Sequence, residues 1–111
     1  MAPIGEAELR AMAAVIRSEI PDAEVHLFGS RARGKARPDS DVDLLIIAPD
    51  AWLAEHDRFA LLGRLWSRLP DHHVPVDLLV YPRSQAEERR GWRHHVIARA
   101  FREGRILDSQ T

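Results

Sequence analysis

From Glu6 to Ile20 the apolar residues Leu9, Met12, Ala13, Ile16 and Ile20 return every three or four positions, the spacing of one helix face, and Pro21 ends the run. Over Ala23–Phe28 the period shortens to two, as in a half-buried strand, and the alternation stops at Gly29-Ser30. Leu44-Leu45-Ile46-Ile47 is a continuous apolar run of strand length, which suits a sheet covered on both faces. Asp50 then caps a helix reaching Leu69, with Leu53, Leu61, Leu62, Leu65, Trp66 and Leu69 on its inner side and Pro70 after it. Beyond Pro75, Val76–Tyr81 is another buried strand. Ser84 and Glu87 make a capping box for a last helix, whose later part carries Trp92, Val96, Ile97, Ala100 and Phe101 before Gly104, with Gly91 as its weak point. Arg105–Asp108 adds a short edge strand. With no repeat, linker or low-complexity segment, residues 1–111 are expected to form a single α/β domain: a small mixed β-sheet flanked by helices.

The chemistry is concentrated between Gly29 and Ile47, in GSRARGKARPDSDVDLLII. Asp41 and Asp43 are two apart at the mouth of a strand, so their side chains share a face and their Cα atoms lie roughly 6 to 7 Å apart. Two carboxylates that close repel unless a cation stands between them. Asp77 is the only carboxylate in its apolar strand and needs a partner of its own, which is either a structural ion pair or, on a neighbouring strand, magnesium shared with Asp41 and Asp43. Gly29 has no Cβ, so backbone N–H groups there can approach a phosphate closely, and the Ser30 hydroxyl can bond a phosphate oxygen. A helix beginning after Ser30 adds its positive N-terminal dipole.

Other patterns carry less. Asp39, Asp41 and Asp43 match the start of a calcium loop, but Leu44 stands where that loop needs glycine. The basic run Arg31, Arg33, Lys35, Arg37 is either a solvated loop or a phosphate-facing one; Arg33 is the better candidate for phosphate, with pairing to an aspartate that holds the loop as its alternative. His72-His73 and His94-His95 are sequence neighbours with no cysteine to complete a zinc site, so they read as surface residues. Trp52, Trp66 and Trp92 are expected in the core, with a place near a base or a partner as the alternative for Trp52 or Trp92.

Composition narrows the class. The chain has 111 residues, 45% hydrophobic and 30% charged, with no cysteine and no apolar run near the ~20 residues of a membrane span, which leads to an expectation of a cytoplasmic domain. A net charge of −1 argues against a protein that coats nucleic acid.

Gly29-Ser30, then Asp41-Val42-Asp43, with Arg33-Gly34 and Ser40 between, resembles the nucleotidyltransferase superfamily related to DNA polymerase β, and above all its minimal single-domain members. The resemblance implies the polymerase β palm-like fold and transfer of AMP from ATP to a hydroxyl acceptor. It also implies two Mg2+ ions held by Asp41, Asp43 and Asp77, with Asp77 as proton acceptor, and nucleotide contacts from Gly29, Ser30, Arg33 and Ser40. Members of this kind are commonly antitoxins paired with helical HEPN toxins, some of them adenylylating a toxin tyrosine, so a HEPN-type partner and homo- or hetero-oligomers are expected. Two alternatives stay open: an antitoxin that neutralises its partner by contact alone, and a subunit that modifies a small molecule such as an aminoglycoside. Arg89 with His94 also fits the loose Arg-x4-His pattern of HEPN ribonucleases, a cheap match in a chain rich in both residues.

Overall fold

The computed structural model describes residues 5–34, 40–69 and 75–107. Chain order is α1 (Glu6–Glu19), β1 (Glu24–Phe28), β2 (Val42–Ala48), α2 (Asp50–Ala54), α3 (Arg58–Arg68), β3 (Val76–Pro82), α4 (Arg83–Arg89), α5 (Val96–Glu103) and β4 (Arg105–Ile106). The strands form one mixed sheet in the order β3-β2-β1-β4, antiparallel at β1/β2 and β1/β4 and parallel at β2/β3. This is the small mixed sheet with helices that the sequence pattern implies.

Alternation along the strands divides the core in two. Val25 and Leu27 of β1, Val42, Leu44 and Ile46 of β2, and Val76, Leu78 and Val80 of β3 pack with Leu9, Met12, Ile16, Leu61 and Leu65 from α1 and α3. On the other face, Phe28, Leu45 and Ile47 pack with Ala86, Ile97 and Ala100 from α4 and α5. Burial on both faces explains why β2 reads as an unbroken apolar run. Among the described residues His26 is the one buried polar residue on the second face; its Nε2 lies 3.0 Å from Glu24 Oε1 and its ring meets the edge of Phe101.

Several expectations need correction. The long helix from Asp50 to Leu69 is two helices, because Asp57 turns its carboxylate onto the Phe59 N–H at 3.1 Å and starts α3 afresh. Trp66, expected inside, is 49% exposed, and Trp92 is 47% exposed with the Arg89 guanidinium over its ring. Trp52 does pack against the core and stacks on His56. The Ser84–Glu87 capping box does not form: the Ser84 N–H donates instead to Asp50 Oδ1, 3.0 Å away. The last helical stretch does break around Gly91, its expected weak point, into α4 and α5; His95, however, caps α5 by accepting from the Ile97 N–H at 3.1 Å, a role that its reading as a surface residue missed. Lys35, Arg37, Asp39, Pro70, His72, His73 and Asp108 lie outside the described residues.

Candidate active site

Register assembles the site. Phe28 pairs with Asp43 across β1/β2, and Asp43 pairs with Asp77 across β2/β3. Asp43 and Asp77 therefore sit side by side on the face that carries Leu45, Ile47 and α5, where the apolar rows give way to carboxylates. Asp41, two residues before Asp43, precedes the strand and is exposed. Partial burial pushes the Asp43 carboxyl above its ordinary range; the charge of Asp77, a hydrogen bond with Asp77 and the charge of Asp41 push it the same way, while Arg33 pulls it down.

Gly29 closes the site from the β1 side. Its φ of +78° is in the left-handed region, and a Cβ built there would stand 2.3 Å from Asp43 Oδ2. Glycine is thus required twice, for the turn and for the carboxylate packed against it. In place of a helix, one turn follows: the Ala32 and Arg33 N–H groups both donate to the Gly29 carbonyl, and Ser30 is half-buried beside it.

Two side chains hold this loop in ways the sequence did not disclose. Arg31, read as one of a basic run, sends Nε and Nη2 to the Ser40 carbonyl at 3.1 and 2.7 Å, tying the far end of the loop to its start. Arg33 pairs with Glu103 at the end of α5, Nη1 to Oε2 3.1 Å, rather than with an aspartate. Glu103 reads in sequence as an ordinary helix-surface acid. Gly104, the next residue, brings α5 onto β1: a Cβ there would meet the Ala100 and Leu27 carbonyls at 2.4 Å each.

The structure therefore brings together Gly29, Arg33, Asp43 and Asp77, with Asp41 acting on Asp43 through charge and Ser40 held by Arg31. Among the described residues no three acidic or histidine side chains form a ready-made ligand cluster. The donors are nonetheless all carboxylate oxygens with a surplus of negative charge, the chemistry a hard divalent cation such as magnesium takes.

The chain matches the nucleotidyltransferase domain family over residues 9–107. It belongs to that family. Nucleotidyl transfer is accordingly its class of reaction, and a nucleotide with a divalent metal is what the family suggests. Among solved structures this nucleotidyltransferase domain is similar to a toxin–antitoxin crystallised with AMP-PNP, at 22% identity and TM-score 0.57, covering 97% of this chain and 76% of that one. A mutant MntA–HpeT toxin–antitoxin is similar at 23% identity and TM-score 0.56, covering 97% and 75%. A putative nucleotidyltransferase from Sulfolobus solfataricus is similar at 26% identity and TM-score 0.55, covering 75% and 71%. These likenesses place the chain in the α/β nucleotidyltransferase fold. No curated protein matches it. Among the described residues no helix is long and apolar enough to cross a membrane.

Proposed function

We propose that residues 1–111 act as one magnesium-dependent nucleotidyltransferase domain that moves AMP from ATP to a hydroxyl of a partner protein, a tyrosine of a HEPN-type toxin, and so serves as an antitoxin. The observation that carries the chemistry is the Asp43–Asp77 pair on adjacent parallel strands, packed against a left-handed glycine. The partner is supported by the toxin–antitoxin structures that share the fold, one of them crystallised with AMP-PNP.

In the reaction the acceptor oxygen bonds to the α-phosphorus, the bond to the bridging oxygen breaks, and pyrophosphate leaves. Asp41, Asp43 and Asp77 would hold two magnesium ions, which when bound offset the charge of the triphosphate and of the departing pyrophosphate. Asp77, the more exposed of the paired acids, takes the acceptor's proton. Gly29 lets the loop backbone approach the β- and γ-phosphates, and Ser30 and Ser40 offer hydroxyls to them. Arg33, half-exposed at the loop, adds positive charge once it leaves or shares Glu103.

The test is co-expression with the protein encoded by the adjacent reading frame, followed by intact mass spectrometry. AMP adducts on the partner that disappear with Asp41→Ala and Asp43→Ala are expected. An inhibited but unmodified partner would replace this reading with antitoxin action by contact alone.

A further inference from the structure

We propose that Glu103, the last residue of α5, is a positioning residue for the nucleotide: it holds the Arg33 guanidinium beside the carboxylate site, where the β- and γ-phosphates arrive. The proposal rests on the nucleotidyl-transfer reading above and adds to it a residue from the far end of the chain.

Nothing within α5 itself favours an acid at this point. The C-terminus of a helix carries partial negative charge, so a carboxylate in the last turn is disfavoured and a cation is favoured. Among the described helices α1 also ends on an acid, Glu19, and there Arg64 and Arg68 of α3 answer it. Glu103 takes its cation from the Gly29 loop instead: Arg33 Nη1 lies 3.1 Å from its Oε2, across seventy residues of chain. The two side chains are 40% and 34% exposed, and an ion pair in that setting adds little to stability. What the pair does fix is the place of a long, flexible cation.

Both ends of the pair are anchored in backbone. The Arg33 N–H donates to the Gly29 carbonyl at 3.2 Å, and Gly29 is packed against the Asp43 carboxylate. On the other side, the Gly104 N–H donates to the Ala100 carbonyl at 2.8 Å, while the Ala100 and Leu27 carbonyls fill the space that a Cβ would need at Gly104. β4 follows at once and pairs Arg105 with Leu27. Glu103 therefore stands at the end of β1, where the loop that carries Arg33 begins.

The guanidinium is near enough to the acids to be felt there. Its charge pulls the Asp43 carboxyl down, against burial and the neighbouring aspartates. Arg31 is committed to the Ser40 carbonyl through Nε and Nη2, whereas Glu103 engages Nη1 of Arg33, which makes no other side-chain hydrogen bond among the described residues. A guanidinium has five N–H donors in a planar fork, so one carboxylate oxygen can hold it while the other donors meet phosphate oxygens. Holding Arg33 in advance removes part of the ordering cost of binding. Against this stands the negative charge of Glu103 itself. Lying on a guanidinium at a partly exposed position, that charge is largely offset by its partner and screened by solvent, so the ordering effect wins.

Isothermal titration of AMP-PNP with magnesium into the full chain tests this. Glu103→Ala should weaken binding roughly two- to tenfold, the range expected when one long side chain has to be ordered on binding. Glu103→Gln keeps an oxygen to accept from Nη1 and should recover most of that loss. Arg33→Ala should weaken binding further, and in its background Glu103→Ala should add nothing. Circular dichroism of each variant should match the wild type, since the side chain is partly exposed at a helix end. Tighter binding by Glu103→Ala would make the pair a lock that keeps Arg33 from the nucleotide, and would overturn the proposal. So would a loss that persists without Arg33, or one that Glu103→Gln shares in full. Wild-type binding of AMP-PNP that Glu103→Ala leaves unchanged would overturn this proposal alone, whereas no binding by the wild type would overturn the reading of the site and the proposal with it.

Discussion

Replacing Gly29 with alanine tests the geometry of the site most directly. The new Cβ meets two penalties. The first is backbone: at φ +78° an L-residue costs roughly 1–2 kcal/mol. The second is contact: at 2.3 Å from Asp43 Oδ2 the methyl must displace the carboxylate or shift the turn, an overpacking cost of about 1–3 kcal/mol. The expected loss is about 3 kcal/mol in urea unfolding at neutral pH. Gly34 is the internal control, because its φ of +73° carries the same backbone penalty while a Cβ there meets nothing within 4 Å; Gly34→Ala should cost about 1–2 kcal/mol. A double-mutant cycle then isolates the contact: in an Asp43→Ala background the cost of Gly29→Ala should fall to the Gly34→Ala level. If Gly29→Ala costs no more than Gly34→Ala, or costs the same with and without the Asp43 carboxylate, the close packing of turn against acid is wrong.

Gly104→Ala pushes a methyl between two carbonyls that cannot swing away, so it should destabilise by about 3 kcal/mol and loosen α5 from β1, seen as faster hydrogen exchange in Val96–Glu103. Asp43 titrates above its ordinary value of 3.8, so the native state holds its proton more tightly than the unfolded chain does, and its contribution to stability falls as pH rises from that value through the native pKa. Asp43→Asn should therefore unfold at higher urea than the wild type at neutral pH, the gap closing toward pH 3.8; a constant gap would contradict the burial and charge assigned to this group. Magnesium should raise the wild-type midpoint and leave that of Asp43→Asn in place, read by thermal shift over a metal titration. Arg31→Lys loses the two-pronged grip on the Ser40 carbonyl and should cost about 1 kcal/mol, with nucleotide affinity falling more than stability if the loop's shape is what binds phosphate.

The acids were legible in the sequence for a simple reason: a charge inside an apolar strand is costly enough to stand out, and a spacing of two fixes a shared face whatever the sheet does. Which strands become neighbours is not local information, so the Asp43–Asp77 pairing appears only once β2 and β3 lie side by side. The break at Asp57 was hidden because apolar spacing runs on through it; the signal was present, an aspartate ahead of a helical stretch, but Asp50 offered a competing cap. Arg31 and Arg33 look alike in sequence, and only the fold separates the clamp on Ser40 from the partner of Glu103. His95 reads as a surface residue in sequence because its neighbour His94 suggests a pair, while its actual role depends on where α4 stops.

The parallel contact between β2 and β3 has a bearing on how the molecule matures. β1 and β2 are joined by the Gly29 loop and can zip together early, whereas β3 reaches its place only after the chain has passed through α2 and α3, and distant pairings of this sort are slow to close. Asp43 therefore waits for Asp77. A nascent or nicked chain that has formed its hairpin still lacks half of its acidic pair, so the two carboxylates face each other only once β3 has docked beside β2.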